Sequence, residues 1–80
     1  MPPFTVRWLE IADQHYADLP PDTQREIDAR VTELCEHPEG PPEAYDPLTD
    51  QWTTTYGDGA GLIAYAVVAE QRRVLILRLV

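Results

Sequence analysis

The sequence predicts an α+β fold in which two N-terminal helices pack on one face of a mostly antiparallel four-stranded sheet, in the order β-α-α-β-β-β. Two observations predict it. The spacing of apolar residues changes early in the chain from two to three and four, and two almost continuous apolar runs occupy the end. A length of 80 residues leaves room for one domain, so residues 1–80 are expected to form a single unit.

The first strand and the first helix are marked by this change of spacing. Phe4, Val6 and Trp8 alternate with polar neighbours, as in a short strand with one buried face. The Pro20-Pro21 pair then ends a helix. Its apolar stripe, at steps of four, four and three residues, consists of Trp8, Ala12, Tyr16 and Leu19.

The second helix is expected to begin near Pro21, because a proline at the first helical position lacks only an N–H group that would be unpaired there. Thr23 and Glu26 have the spacing of a capping box. The helix should stop before Pro38, and residues 37–50, which are rich in Pro, Gly and acid, should form a loop. Its apolar stripe consists of Ile27, Val31, Leu34 and Cys35.

Three strands are expected in the last part of the chain. Residues 51–56 are rich in Trp, Thr and Tyr, as strands are, and a Gly-Asp-Gly turn at 57–59 ends them. Residues 62–69 and 73–80 are apolar runs that form a hairpin around Glu70 and Gln71.

Charge is distributed unevenly along the chain. Fourteen acids against six arginines give a net charge of −8, and residues 1–50 hold twelve of the acids. Because nucleic acids are held by cations that offset their phosphates, this balance predicts that RNA and DNA are repelled overall. Arg72, Arg73 and Arg78 are the candidates for a local basic spot; the alternative is that they keep a sheet edge soluble.

Several kinds of site are excluded by residue types. The sequence has no serine and no lysine, which excludes Ser-His-Asp hydrolases, Schiff-base chemistry and P-loop chemistry. The acids near His15 and His37 are better explained as a solvated face, so no metal and no cofactor is expected. Cys35 is expected to be a buried small hydrophobe. Neither a signal peptide nor a membrane span is indicated, so a cytoplasmic location is expected.

Two long stretches resemble a known family. Residues 8–38, WLEIADQHYADLPPDTQREIDARVTELCEHP, resemble the paired helices of RelE/ParE-type toxins, which belong to toxin–antitoxin systems. Residues 52–80, WTTTYGDGAGLIAYAVVAEQRRVLILRLV, are similar to the C-terminal sheet of the same family. The resemblance implies a RelE/ParE-like fold over nearly the whole chain.

The family's nuclease residues do not carry over. Active members cut ribosome-bound messenger RNA with basic and acid–base residues on the open face of the sheet. Thr53 and Thr55 stand where basic residues usually follow the Trp, and Gly61-Leu62 stands where the family has Tyr-Arg. The sequence ends at Val80, before the family's usual Gly-His-Arg or Gly-Lys-Arg segment and Tyr, and Arg78 does not securely match a catalytic position. No catalytic residue is therefore assigned.

The register of the C-terminal hairpin decides which residues the open face carries, because a slip of one residue exchanges the two faces. A turn with an odd number of residues, which the family analogy favours, puts six residues under the helices: Ile63, Tyr65, Val67, Leu75, Leu77 and Leu79. The open face then carries Thr53, Thr55, Leu62, Ala64, Ala66, Val74, Ile76, Arg78 and Val80. A two-residue turn instead groups Leu62, Ala64 and Ala66 with the three leucines.

In either register two helices leave a broad apolar surface uncovered, and such a surface usually marks a protein partner. We predict a RelE/ParE toxin-like protein without ribonuclease activity that binds a protein, antitoxin-like or a second copy, on its open face. The alternatives are an active toxin (mRNA interferase or gyrase-inhibitor type) neutralised by an antitoxin, and a small-molecule-binding domain. Nucleic acid and membrane are not expected as partners. The predicted partner-binding residues are Thr53, Thr55, Leu62, Ala64, Ala66, Ile76 and Arg78.

Overall fold

A computed structural model describes residues 4–38, 44–57 and 59–80. These residues form two α-helices and a five-stranded sheet with the strand order β1-β5-β4-β3-β2. Strands β1 and β5 are parallel, and the other three neighbouring pairs are antiparallel. The elements are β1 (Thr5–Trp8), α1 (Glu10–Ala17), α2 (Pro21–Glu36), β2 (Ala44–Asp46), β3 (Gln51–Tyr56), β4 (Gly61–Val68), a 3₁₀ turn (Ala69–Gln71) and β5 (Arg73–Leu79).

The α+β class is confirmed, but the prediction of four strands is wrong. The fifth strand, β2, comes from the segment that was expected to be a loop, and it pairs with β3 in antiparallel register. Tyr45 lies opposite Trp52, with the two ring centroids 4.8 Å apart. The Asp46 carboxylate accepts hydrogen bonds from the Leu48 N–H and the Thr49 hydroxyl, which closes the turn into β3. A three-residue strand is too short to show a period of two in sequence.

Helix α1 packs on β5 through the predicted apolar stripe. Ala12 is fully buried, and Tyr16 and Leu19 pack against the core. Trp8 belongs to the same cluster but lies in β1, where it meets the Tyr16 ring edge-on at a centroid distance of 5.1 Å. No helix within residues 4–38, 44–57 and 59–80 is long and apolar enough to cross a membrane.

Helix α2 begins at Pro21 as expected, but the expected capping box is wrong. Pro20 is the N-cap residue, and among the described residues no side chain caps the helix. The Gln24 backbone N–H donates to the Pro20 carbonyl as the first helical hydrogen bond, and its side-chain amide donates to the Tyr16 carbonyl at 2.8 Å. This second bond ties the start of α2 to the end of α1. The buried stripe is Ile27, Val31 and Leu34, and Cys35, which was expected to be buried, is half-buried and packs beside it.

The hairpin of β4 and β5 departs from both predicted registers. Its loop has four residues, 69–72, because Val68 pairs with Arg73, and Arg72 adopts the left-handed conformation that closes the turn (φ 51°). Near the turn Tyr65 therefore pairs with Ile76, whereas beyond it Ile63 pairs with Leu79. A β-bulge at Leu77 makes the change, since one extra residue on β5 reverses the phase of the strand.

Because of the bulge and the four-residue loop, part of the predicted assignment of β5 residues to the two faces is wrong. Val74 and Ile76 were expected on the open face, but both are fully buried in the core under the helices. Leu75 was expected under the helices, but it pairs with Ala66 on the opposite face, and Leu77 is the half-buried extra residue. Leu79, together with Ile63 and Tyr65, is buried in the core as expected.

Removal of the Tyr65 hydroxyl should show how much its buried hydrogen bond contributes to the stability of the fold. Tyr65 is fully buried, and its hydroxyl donates to the Pro38 carbonyl at 2.9 Å. Tyr65→Phe should lower the free energy of unfolding in urea by about 1 to 2 kcal/mol, because it leaves a buried carbonyl without that donor. Tyr45→Phe is the matched control, since its hydroxyl bonds to Asp50 at the surface, and it should cost less than about 0.5 kcal/mol. Equal losses in the two variants would contradict the buried hydrogen bond.

Candidate functional site

The side of the sheet turned away from the helices, called the open face below, is the candidate site. Strand register places its residues in short rows that cross the sheet, because paired residues share a face. One row is Thr53, Ala64 and Arg78, and a second is Ala66, Leu75 and Arg7. A third row, nearest the hairpin turn, is Val68, Arg73 and Thr5. At the other end lie Thr55 and Leu62, with Leu62 hydrogen-bonded to Val80 through the backbone.

Most of the predicted partner-binding residues are brought together here. Thr53, Thr55, Leu62, Ala64, Ala66 and Arg78 share the open face. Ile76 does not: its side chain has no exposed surface, because the bulge turns it under the helices. A role in binding stays a prediction for the six that remain.

The middle of the open face is lined by short apolar side chains, called the alanine trough below, of which Ala64 is 5% exposed and Ala66 is half-buried. It is formed by Ala64 and Ala66 on the central strand β4, with Leu75 beside Ala66 on β5. Alanine side chains end at Cβ, so the sheet surface sinks between the longer side chains on either side. Beyond the trough Leu62 is 39% exposed and Val80 is 64% exposed, which continues the apolar surface to the end of the sheet.

Arginines surround the alanine trough. Arg78 lies beside Ala64 at one end, and Arg73 lies beyond Ala66 at the other. Arg7 joins them from β1, because the parallel pairing of β1 with β5 sets it next to Leu75. Sequence reasoning missed Arg7. The alternation of Thr5, Val6 and Arg7 indicates that Arg7 lies on the opposite face of β1 from Val6. Its position beside the other arginines, however, depends on the pairing of β1 with β5, which are at opposite ends of the chain.

Arg72, the other predicted basic-spot residue, does not join this group. It lies in the hairpin turn, and its guanidinium carbon is 5.2 Å from the centroid of the Phe4 ring, a cation–π distance. The predicted basic spot is therefore formed by a different set of arginines, of which Arg73 and Arg78 were named from sequence.

Acidic residues are concentrated on the other layer of the molecule. Seven carboxylates lie on the two helices, and Asp46 is the carboxylate on the described part of the open face. The described part of the open face thus carries three arginines and one carboxylate, although the net charge of the chain is −8. The helical acids are Glu10, Asp13, Asp22, Glu26, Asp28, Glu33 and Glu36.

The chemistry available on the open face is hydrogen bonding and charge compensation. Thr53 and Thr55 offer hydroxyls, and the three arginines offer guanidinium groups. The described part of this face holds no histidine, cysteine or glutamate. His15 lies on α1, where its Nδ1–H donates to the Leu79 carbonyl at 3.1 Å, and thereby ties α1 to β5.

A groove of about 490 Å³ opens between α2 and the end of β3, and Thr55 lines it at the edge of the open face. Arg30 forms its floor: it donates to the Thr54 hydroxyl through Nη2 at 2.7 Å and to Glu33 through Nη1 at 2.8 Å. Gly57 has a positive φ of 60°, and a Cβ there would collide with the Glu26 carboxylate. This part of the surface is a packed polar contact between helix and strand.

The surroundings of Tyr16 and Cys35 raise the pKa of each side chain. The hydrogen bond from the Tyr16 hydroxyl to the Asp28 carboxylate raises the pKa of Tyr16, and this bond joins the two helices. Burial raises the pKa of the Cys35 thiol, and the charge of Glu36 adds to the effect. Among residues 4–38, 44–57 and 59–80, no group of three His, Cys, Asp or Glu side chains is placed to hold a metal ion.

Comparisons with known proteins rest on structure. No protein-family model matches the sequence, and no curated protein matches it. The structure is similar to the intact RelBE toxin–antitoxin complex of E. coli, with a TM-score of 0.84 and 14% identity, over 95% of this chain and 93% of that chain.

Two further solved structures show the same likeness. The RelBE2 toxin–antitoxin complex of Mycobacterium tuberculosis gives a TM-score of 0.69 and 24% identity, over 96% of this chain and 95% of that chain. The archaeal RelE–RelB complex of Pyrococcus horikoshii OT3 gives a TM-score of 0.72 and 16% identity, over 95% of this chain and 91% of that chain. The predicted RelE-like fold is therefore confirmed.

The reactivity of Cys35 should report the raised pKa of its thiol. Since the thiolate is the nucleophile, alkylation by iodoacetamide at pH 8 should be slower in the folded chain than in urea. The pH at which the rate reaches half its maximum should also be higher for the folded chain, because burial disfavours the thiolate. A folded chain that reacts as fast as the unfolded one at every pH would contradict the burial of this thiol.

Proposed function

We propose that this chain is a RelE/ParE-type toxin-like protein that acts by binding a protein partner of antitoxin type on its open face, without cleaving RNA. The similarity of its fold to RelE supports the assignment to a toxin-like protein. Three of the similar structures are complexes of RelE proteins with RelB antitoxins, which supports a partner of that type for this chain.

The open apolar surface is the observation that carries the proposal. Leu62 and Val80, which are 39% and 64% exposed, extend the more buried alanine trough into an apolar strip on the sheet face away from the helices. Burial of such a strip against another protein is favourable by about 25 cal/mol for each Å² removed from water. A protein partner gains this energy, whereas a single-stranded RNA offers mainly phosphates and bases.

The chemical requirements of RNA cleavage support the proposal that the chain does not cleave RNA. Attack by a ribose 2′-hydroxyl needs a base to remove its proton, a cation beside the phosphate and an acid to protonate the leaving oxygen. The described open face supplies the cations and threonine hydroxyls, but a hydroxyl of ordinary acidity is a poor base at neutral pH. Its carboxylate, Asp46, lies on the edge strand β2, where both of its oxygens accept hydrogen bonds from the turn that follows. Binding without cleavage is the function that these groups serve best.

One observation favours the alternative of an active, antitoxin-neutralised toxin. Arg7, Arg73 and Arg78 lie on one face, away from the helical carboxylates, so phosphate can be held there despite the net charge of −8. A toxin that acts on messenger RNA would use them as phosphate ligands.

A bulky side chain in the alanine trough should block the partner. The test is co-expression of the chain with the product of the neighbouring reading frame, followed by affinity co-purification. Ala66→Trp should abolish co-purification, because the added ring fills the trough on the solvent side and leaves the core unchanged. Ala17→Trp, on an exposed position at the end of α1, is the matched control and should retain the partner.

A complex that survives Ala66→Trp at the wild-type level, with both variants folded by circular dichroism, would place the partner elsewhere on the molecule.

Expression of the chain alone should separate the two candidate functions. We expect no growth arrest, and no cleavage of a purified messenger RNA at physiological salt by the purified chain. The control is the triple variant Arg7→Ala, Arg73→Ala, Arg78→Ala. Cleavage or arrest by the wild-type chain that this variant abolishes would establish the active-toxin alternative.

A further inference from the structure

We infer that the segment bound on the open face is acidic at both ends and apolar in the middle. The inference rests on the proposed function and specifies the chemistry of the partner. The inference follows from the order of side chains on the open face of β4 and β5, where apolar residues lie between two arginines.

Strand β5 carries an arginine beside each end of the alanine trough. Arg78 lies beside Ala64, the pair Ala66 and Leu75 follows, and Arg73 comes next toward the hairpin turn. Arg73 and Arg78 are five positions apart on one strand, so their Cα atoms are separated by roughly 15 Å at the usual rise of a strand. Arg7 widens the basic end near Arg73 by one further strand.

These arginines are not neutralised within the described part of the chain. The ion pairs found there join Arg25 to Asp22 and Arg30 to Glu33, both on α2. Arg7, Arg73 and Arg78 form no ion pair with any residue in 4–38, 44–57 or 59–80. A protein that covers the apolar centre must also desolvate the arginines beside it, and this is costly unless it brings carboxylates to pair with them.

Charge also argues against a second copy as the occupant. A face-to-face pair of chains would place two sets of Arg7, Arg73 and Arg78 in one interface, where like charges repel. Each chain also carries a net charge of −8, which opposes association of copies in any orientation.

The spacing sets the length of the partner segment. Two carboxylate groups that reach both ends of the trough must lie roughly 15 Å apart, which corresponds to about five residues in an extended strand or about ten in a helix. The segment therefore has one or two acids, a short run of apolar residues, and one or two acids again.

The test uses the full chain and two synthetic peptides with blocked ends. Both peptides have a leucine-valine-leucine centre; one has two glutamates at each end, and the other has two lysines at each end. By isothermal titration calorimetry at low salt, the glutamate peptide should bind at least about tenfold more tightly than the lysine peptide. The double variant Arg73→Glu, Arg78→Glu should reverse this preference.

Arg25→Glu is the control for charge reversal as such, because it makes one Arg-to-Glu change on the exposed side of α2, away from the open face. It should alter the Kd of the glutamate peptide by no more than about twofold. Two results would overturn the inference: a glutamate peptide that binds no more tightly than the lysine peptide, or an Arg25→Glu variant that weakens binding as much as the double variant does.

Co-purification with the product of the neighbouring reading frame separates failure of this inference from failure of the proposed function. Loss of the partner in both the double variant and Ala66→Trp supports the two together. Retention in the double variant with loss in Ala66→Trp overturns the acidic segment and leaves the proposed function standing. Retention of the partner by both variants overturns the acidic segment and the proposed function. A dimer of the chain in sedimentation that the double variant dissociates would also overturn the inference, since the occupant would then be a second copy.

Discussion

The β-bulge in β5 controls the distribution of side chains over the two faces of the sheet. Before the bulge, Val74 and Ile76 face the helices, and after it Leu79 does, so that one strand supplies the core on both sides of the irregularity. Without the extra residue at Leu77, a strand in phase with Ile76 would turn Arg78 under the helices and Leu79 outward. The bulge thus keeps an arginine out of the core and delivers it to the open face.

Helix α1 and strand β1 depend on the position of this strand. Helix α1 packs on β5, and His15 donates to the carbonyl of Leu79 just beyond the bulge. Strand β1 pairs in parallel with the other half of β5, and its first residues are further held by the bond from the Phe4 N–H to the Cys35 carbonyl at the end of α2. The N-terminal part of the chain is thereby built onto its C-terminal strand, and the basic side chain of Arg7 is brought to the open face as a result.

The separation of charge follows from the same layered arrangement. Helices that cover one face of a sheet turn their polar sides to water, and here the helices carry seven of the fourteen acidic residues. The opposite face takes side chains from alternate strand positions, where arginines stand beside alanine and leucine. A chain of net charge −8 can therefore present a basic surface with an apolar centre, which is the basis for assigning a protein partner to it.

The sequence by itself determined the fold class, both helices with their buried stripes and the three C-terminal strands, because each of these is encoded in residues a few positions apart. The register that the family analogy favoured grouped Thr53, Thr55, Leu62, Ala64, Ala66 and Arg78 on one face, and the structure has the same grouping but reaches it through the bulge. Tertiary structure alone decided the fifth strand, the register of the hairpin, the burial of Ile76 and the approach of Arg7 to Arg73. These features depend on pairing between strands distant in sequence and on a one-residue bulge, and neither leaves a mark in the local alternation of polar and apolar residues.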